Sequence, residues 1–295
     1  EPYRRQRQMC IRDRVVTAPQ LYAHLKNMLR QNGIESPEFE AMCILEHISG
    51  KKLSRLLLER PEMPQETETK ANNIIYRRIS GYPLQYILGE WEFYGLPFYV
   101  GEGVLIPRQD TETLAETALD FAKRTDKPKV LDLCSGSGCL AVTIAKNIPS
   151  ADVTAVEISE TAIGYIRKNA ELNNVRVSIV SGDALRKETA EKFSDADIIV
   201  CNPPYLTAED MTVLQKEVSF EPQTALFGGE DGLDFYRKIT VLWKDTLKKG
   251  GVLAYEIGME QEKDVRKILE ENQFENIEEI KDLSGIIRVV RGEKI

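Results

Sequence analysis

The chain has 295 residues, of which 42% are hydrophobic, and it carries a formal net charge of −8. This length suits two ordinary domains, and the hydrophobic share is enough for packed cores, which argues against wholesale disorder. No apolar run approaches the roughly 18 residues that a membrane helix needs. The acidic balance argues against a duplex nucleic-acid binder, because such proteins usually carry a basic surface.

The cysteine and histidine content argues against disulfides and metal sites. The five cysteines are odd in number and lack CxxC spacing, and they stand at Cys10, Cys43, Cys134, Cys139 and Cys201. Both histidines, His24 and His47, fall in helical-looking sequence. We therefore expect reduced thiols in a cytoplasmic, metal-free protein that is monomeric and has no signal peptide.

The first fourteen residues, EPYRRQRQMCIRDR, differ from the rest because they are polar, basic and without periodicity. We expect residues 1–14 to be a non-native or disordered head. Residues 15–82 then show apolar spacing of three and four residues, with a Ser36-Pro37 helix start and stops at Gly33 and Gly50. This pattern predicts a small bundle of four helices, the last two at residues 52–59 and 64–79.

The spacing of apolar residues changes from helical to alternating in residues 83–109, which are predicted to be a β-hairpin linker. Alternating residues flank Tyr94-Gly95, a dipeptide that favours a tight turn. Residues 110–295 then alternate strands with helices, and the strand candidates are residues 130–133, 153–157, 175–180, 197–201, 252–256, 277–280 and 286–290. This order predicts a doubly wound α/β sheet, and the short last connection requires an antiparallel final strand.

A glycine-rich loop follows the first of these strands and fits the pattern GxGxxA. The predicted cofactor residues of this loop are Cys134, Ser135, Gly136, Ser137 and Gly138. Glycines at a strand-to-helix turn let the backbone approach a ligand. Glu157, nineteen residues after Gly138, suits a ribose diol. A nicotinamide or flavin dinucleotide is the nearest rival ligand.

Acidic residues favour S-adenosylmethionine over a dinucleotide. Asp132 stands at the strand tip, where a carboxylate holds an ammonium group but repels a pyrophosphate. Asp183, next to Ala184, follows the third strand, where the adenine amino group would lie. The predicted domain is therefore a seven-stranded, Rossmann-like class I S-adenosylmethionine-dependent methyltransferase.

The fourth strand ends in Asn202-Pro203-Pro204-Tyr205, which we call the NPPY segment. Two prolines forbid strand pairing and stiffen the backbone. The Asn202 side-chain carbonyl and the Pro203 backbone carbonyl are acceptors, so each can take one hydrogen of a substrate NH₂ group. Tyr205 is predicted to stack on the planar group. Asn202 and its three neighbours are therefore the predicted catalytic residues.

The combination resembles the bacterial release-factor glutamine methyltransferases, also called the PrmC/HemK family. The resemblance covers residues 17–291 and includes GYPLQYILG at residues 81–89, IPRQDTE at 106–112, FEP at 220–222 and GGEDGL at 228–233. Gln109 replaces a usual proline, Cys134 the first glycine of the loop, and Ala184 a frequent tryptophan. The resemblance implies methyl transfer to N5 of the glutamine in the GGQ motif of peptide-chain release factors, with the helical bundle docking that partner.

Three alternatives share the same chemistry or fold. An adenine N6 methyltransferase also uses NPPY, since its target is an exocyclic amine flipped from the stack. Glutamine methylation of another protein, such as a ribosomal protein, uses the same site. A binding module without activity would need a lost site, whereas Asp132, Glu157 and Asn202 are all present.

Overall fold

The computed structural model describes residues 16–295, and the predicted head at residues 1–14 lies outside them. The chain divides into two compact units, of which the first ends at Leu88 and the second is Gly89–Ile295. Among the described residues, every helix is too short or too polar to cross a membrane.

The first unit is the predicted helical bundle. Its elements are β1 Val16–Thr17, α1 Ala18–Gln31, α2 Pro37–Ser49, α3 Leu53–Glu59, β2 Glu62–Met63, α4 Gln65–Ile79 and α5 Leu84–Leu88. The four predicted helices are confirmed. The short antiparallel pair of β1 with β2 and the five-residue helix α5 were not predicted.

The bundle core forms because apolar side chains repeat at helical spacing. Leu21, Leu25 and Leu29 lie on one face of α1 and are at most 1% exposed. A capping box starts this helix, since the Thr17 backbone N–H donates to Gln20 Oε1 over 2.9 Å.

The predicted β-hairpin consists of β3 Glu90–Phe93 and β4 Leu96–Tyr99 and belongs to the second unit. Both turn residues have positive φ, 52° at Tyr94 and 70° at Gly95, as a type I′ turn requires. Phe93 and Phe98 are buried in the core beneath the large sheet. The hairpin therefore packs onto the sheet domain through its aromatic face.

Seven strands form the sheet of the second unit, as predicted. The strands are β5 Lys129–Leu133, β6 Asp152–Glu157, β7 Ser178–Ser181, β8 Ala196–Cys201, β9 Leu247–Glu256, β10 Phe274–Lys281 and β11 Ile287–Lys294. The helices are α6 Thr111–Ala122, α7 Cys139–Asn147, α8 Glu160–Leu172, α9 Lys187–Ala190, α10 Asp234–Trp243 and α11 Glu262–Glu271. Four 3₁₀ turns occupy Asp210–Thr212, Val218–Phe220, Gln223–Ala225 and Lys244–Thr246.

The strand order is β10-β11-β9-β8-β5-β6-β7. The pairs among β5 to β9 are parallel, whereas β11 runs antiparallel to both β9 and β10. The predicted antiparallel last strand is confirmed. Because β5 lies between β6 and β8, the strand order reverses there, and ligands of doubly wound sheets bind at such a point.

Side chains alternate between two buried layers along the central strands. Val130, Ile198 and Val252 face the core shared with α6, α7 and α8. Leu131 and Ile199 face the core shared with α10 and α11. Because both faces of the central strands are packed, the strand ends are held in place, and with them the starts of the loops that follow.

The outer edge of the sheet is formed by β10, which is irregular and acidic. Its pairing with β11 shifts register between Glu275 and Glu278, and Asn276 has φ 50°. Glu278 pairs with Arg291 over 2.7 Å. The opposite edge is β7, with only four residues.

Candidate active site

A cavity of about 800 Å³ lies in the second unit at the carboxyl ends of β5, β6, β7 and β8. It is lined by the glycine loop, by the strand ends and by the segment between the hairpin and α6. A further wall comes from residues after the NPPY segment, namely Ala208, Met211, Pro222, Gln223, Thr224, Ala225 and Phe227. The volume lies within the range of ordinary small-molecule sites.

The glycine loop turns sharply from β5 into α7. Gly136 and Gly138 both have left-handed backbones, with φ of 55° and 78°. A Cβ at Gly138 would lie 3.1 Å from Ile166 Cγ2, so close packing on α8 requires glycine there. A Cβ at Gly136 would have no neighbour within 4 Å. Because Gly136 also lines the cavity, its bare face leaves room for a ligand to approach the backbone.

Cys134 has a left-handed backbone, a conformation that favours glycine. Its φ is 57°, in the left-handed region, and it lines the cavity. A non-glycine residue pays about 1–2 kcal/mol for this conformation. Cysteine at this position therefore carries a conformational cost that glycine would not.

Asp132 lies behind the loop rather than in the cavity. Its side chain is fully buried, and Oδ2 accepts the Ala141 N–H over 3.1 Å. Burial raises the pKa of this carboxyl to about 7. Its Oδ1 has no hydrogen-bond partner among the described residues. The structure thus shows no direct path from the carboxylate to a ligand's ammonium group.

Glu157 ends β6 and lines the cavity. Its Oε2 accepts from the Gly136 N–H over 2.8 Å, and its Oε1 accepts from Ile158 and Ser159, both at 2.9 Å. Three backbone donors therefore fix the carboxylate beside the loop, and Oε2, which accepts only one of them, keeps a lone pair for a further donor.

The segment after β7 supplies the next part of the wall. Asp183 and Ala184 line the cavity, and Asp183 Oδ1 accepts the Leu185 N–H over 2.8 Å. Behind them, the buried Trp243 donates its indole N–H to the Ala184 carbonyl over 2.8 Å. The wall is thus held from the core, although Ala184 offers no ring for stacking.

Asn202 follows β8 and lines the cavity. Its Nδ2 donates to Thr111 Oγ1 over 3.2 Å. Within the described part of the chain no group donates to Asn202 Oδ1 or to the Pro203 carbonyl. Asn202 Oδ1 is therefore available to a substrate at the cavity wall, whereas Pro203 is buried and is not among the lining residues.

The rest of the NPPY segment is braced by later sequence. The Leu206 N–H donates to the Leu226 carbonyl, and the Leu206 carbonyl accepts from Gly228, the first residue of GGEDGL. Gln261 Nε2 donates to the Tyr205 carbonyl over 3.1 Å. Pro204 lines the cavity, whereas the Tyr205 ring packs against Gly258 and the core and is absent from the lining. The predicted stacking by Tyr205 thus has no counterpart in this geometry.

Sequence reasoning missed Asn169, a fully buried residue of α8. Its side chain accepts the Tyr99 N–H over 2.6 Å and donates to the carbonyls of Tyr99 and Ser137, at 3.1 and 2.9 Å. It therefore ties the hairpin to the glycine loop. An asparagine inside an apolar helical face was the only signal in the sequence.

Two of the family-like segments meet at the cavity wall. Glu221 is buried; it forms an ion pair with Arg108 and accepts the Ile106 N–H over 3.0 Å. Glu112 of the same PRQDTE stretch accepts the Tyr94 N–H of the hairpin turn over 2.8 Å. Arg108 thus ties the segment between the hairpin and α6 to Glu221, and Glu112 ties the start of α6 to the hairpin turn.

Two family models match the chain. Residues 20–89 match the PrmC N-terminal domain, and residues 110–223 match the methyltransferase small domain. Among solved structures, a methyltransferase from Pyrococcus furiosus has a TM-score of 0.50 at 18% identity, covering 76% of this chain and 98% of that one. The catalytic domain of hMettl16, in complex with MAT2A 3′UTR hairpin 6, has a TM-score of 0.53 at 14% identity, covering 78% and 82%. These structures share the fold.

Curated relatives are more similar in sequence. The release factor glutamine methyltransferase of Fusobacterium nucleatum is 39% identical over 90% of this chain and 76% of its own length. That of Clostridium acetobutylicum is 39% identical over 90% of this chain and 94% of its own. That of Thermodesulfovibrio yellowstonii is 40% identical over 85% and 90%. With both of its units matched, this chain belongs to the release factor glutamine methyltransferase family.

Proposed function

We propose that this chain transfers a methyl group from S-adenosylmethionine to N5 of the glutamine in the GGQ motif of peptide-chain release factors. The observation that carries the proposal is Asn202 Oδ1, an acceptor in the wall of the glycine-loop cavity that no described group donates to. The neighbouring Pro203 carbonyl also accepts from no group in the described part of the chain and is the proposed second acceptor. Family membership supports the choice of a release factor as the partner.

The residues of the cavity fit S-adenosylmethionine. The bare Gly136 face admits a ligand to the backbone, and Glu157 retains acceptor capacity for a ribose diol. Asp183 lines the same cavity, and we propose that it accepts from the adenine amino group. When bound, this cofactor supplies a methyl group on a positively charged sulfur. For Asp132 we propose an indirect role, in which its buried carboxylate holds the start of α7 through Ala141.

The NPPY segment supplies what a carboxamide lacks as a nucleophile. The lone pair of an amide nitrogen is delocalised, so it attacks poorly. Two fixed acceptors that bind both N–H groups orient the nitrogen and stabilise the positive charge that develops on it. The nitrogen gains the methyl group and then loses one proton to solvent. Because the prolines stiffen the segment, the acceptors need no rearrangement at that moment.

The test uses labelled S-adenosylmethionine with four acceptors in parallel. These are a release factor, the same factor with its GGQ glutamine changed to asparagine, a ribosomal protein and duplex DNA. We expect label only on the unmodified release factor. Label on DNA or on the ribosomal protein, with none on the release factor, would overturn the proposal.

Asn202→Ala tests the acceptor role directly. Removing one of two acceptors of a developing charge costs roughly 10²–10³-fold in turnover. Asn147→Ala is the matched control, because Asn147 is exposed on α7 and only donates to the Thr143 carbonyl. Full turnover by Asn202→Ala would contradict the role, provided that calorimetry shows normal cofactor binding in both variants.

A further inference from the structure

Glu256 is a buried acid beside the site that the proposed chemistry leaves without a role. It ends β9, its side chain is 2% exposed, and Oε2 has no partner among the described residues. In the sheet register Tyr255 lies opposite Cys201, which places Glu256 next to Asn202. A buried carboxyl without a full set of partners is costly, so its retention here calls for a function.

Thr111 connects this acid to the NPPY segment. It is the first residue of α6, is 2% exposed and lines the cavity. Its Oγ1 accepts from Asn202 Nδ2 over 3.2 Å. Burial raises the pKa of Glu256 to about 7, and the neighbouring Thr111 hydroxyl opposes that rise by stabilising the charged carboxylate.

The direction of these hydrogen bonds decides which way the Asn202 amide faces. A threonine hydroxyl has one hydrogen, and the ionised form of Glu256, which prevails above pH 7, can only accept. When Thr111 gives its hydrogen to Glu256, its oxygen can only accept from Asn202. The NH₂ group of Asn202 must then face Thr111, and its carbonyl must face the cavity.

The opposite orientation would disable the site. An Asn202 amide rotated by half a turn would point its NH₂ group at the NH₂ group of the substrate. Two donors would then face each other, and one of the two acceptors would be lost. Oxygen and nitrogen of an amide have nearly the same size, so packing alone does not select the productive orientation.

We propose that Thr111 and Glu256 are positioning residues that fix the Asn202 amide with its carbonyl towards the substrate. In this relay, as we call it, the Thr111 hydroxyl donates to the Glu256 carboxylate and accepts from the Asn202 NH₂ group. This inference rests on the proposed function, since it assigns a direction to an acceptor of that reaction.

The first experiment reads the orientation without turnover. Asparagine side chains are labelled with ¹⁵N, and the Asn202 NH₂ signal is identified by its loss in Asn202→Ala. In the intact protein one of its protons is held by Thr111, so we expect it to exchange with solvent about tenfold more slowly than in Thr111→Val. Thr111→Ser should restore the protection. Equal exchange in the intact protein and Thr111→Val would overturn the relay.

The second experiment measures turnover on a release factor. Thr111→Val is expected to lower kcat about tenfold, and the effect should fall on kcat rather than on KM for S-adenosylmethionine. Thr111→Ser should recover most of the loss. Thr69→Val is the matched control, because its exposed hydroxyl only bonds the Gln65 carbonyl in the first unit. Turnover by Thr111→Val within twofold of the intact protein would refute the positioning role.

Glu256 is tested through its dependence on Thr111. Glu256→Gln can donate as well as accept at every pH, whereas Glu256 can donate only when protonated, so we expect the variant to lower kcat severalfold at pH 8. In the Thr111→Val background the same change should have no further effect, because Glu256 acts only through that hydroxyl. Effects that multiply in the double variant would show that Glu256 acts by another route.

The two proposals fail separately. If the intact protein leaves release factors unmethylated but the ¹⁵N protection depends on the Thr111 hydroxyl, the relay stands and the proposed function falls. If methylation occurs and the protection is unaffected by Thr111→Val, the function stands and the relay falls.

Discussion

Asn169→Ala is the sharpest test of how the hairpin and the glycine loop are held together. The change removes three hydrogen bonds and leaves the Tyr99 N–H and the carbonyls of Tyr99 and Ser137 without a side-chain partner. Each lost bond costs about 1 kcal/mol, and a buried group left unpaired costs about 1–3 kcal/mol. We therefore expect the free energy of unfolding of the second unit to fall by about 3 kcal/mol.

Urea unfolding followed by tryptophan fluorescence measures this loss. Both tryptophans of the chain, Trp91 and Trp243, lie in the second unit, so their fluorescence reports on that unit. Asn147→Ala removes one exposed hydrogen bond and is expected to change the free energy by less than about 0.5 kcal/mol.

Cofactor affinity provides the second readout for Asn169→Ala. Because Asn169 holds the Ser137 carbonyl of the glycine loop, we expect weaker cofactor binding as well as lower stability. A loss of less than about 1 kcal/mol, or equal losses in the two asparagine variants, would show that the buried network does not hold the loop.

Three further predictions concern the cavity. Gly138→Ala and Gly136→Ala each place alanine in a left-handed backbone, which costs about 1–2 kcal/mol. Only the new Cβ at position 138 meets Ile166, so urea titration should show Gly138→Ala to be less stable than Gly136→Ala by a further ~1–3 kcal/mol. Equal stabilities would contradict the close packing. Burial raises the pKa of Asp132 to about 7, so its contribution to stability is complete below its ordinary pKa of about 4 and is lost as pH rises through 7. Asp132→Asn does not titrate, so its unfolding free energy relative to that of the intact protein should increase by about 2–4 kcal/mol between pH 4 and pH 8. A difference between the two proteins that does not change with pH would refute the raised pKa. For Glu157→Ala we expect calorimetry to show at least about tenfold weaker cofactor binding, and unchanged affinity would rule out the ribose assignment.

The fold was predictable because its signals are local and repeated. Helical spacing in the first unit and the alternation of strands with helices in the second were sufficient for the element order. The short last connection was sufficient for the direction of β11. Boundaries were less predictable. The strand expected at residues 175–180 is Ser178–Ser181, because the Val175 N–H still bonds the Ala170 carbonyl at the end of α8.

The positions of site residues along the chain were predictable, but their contacts were not. Strand ends and glycines indicate where Gly136, Glu157 and Asn202 gather. The side-chain network behind them depends on distant residues, such as Thr111, which lies 91 positions from Asn202. The burial of Asp132 was not predictable either, because it depends on how α7 packs over the end of β5.

The irregular outer strand β10 has a consequence for the behaviour of concentrated protein. An edge strand offers unpaired N–H and C=O groups to a second copy of the chain, and such pairing leads to aggregation. The register shift beside Asn276 bends this edge, and its exposed glutamates repel the same edge of another molecule. Replacing Glu275 and Glu278 by threonine would remove the charge repulsion while leaving the cavity intact, so we expect solubility, rather than catalysis, to change.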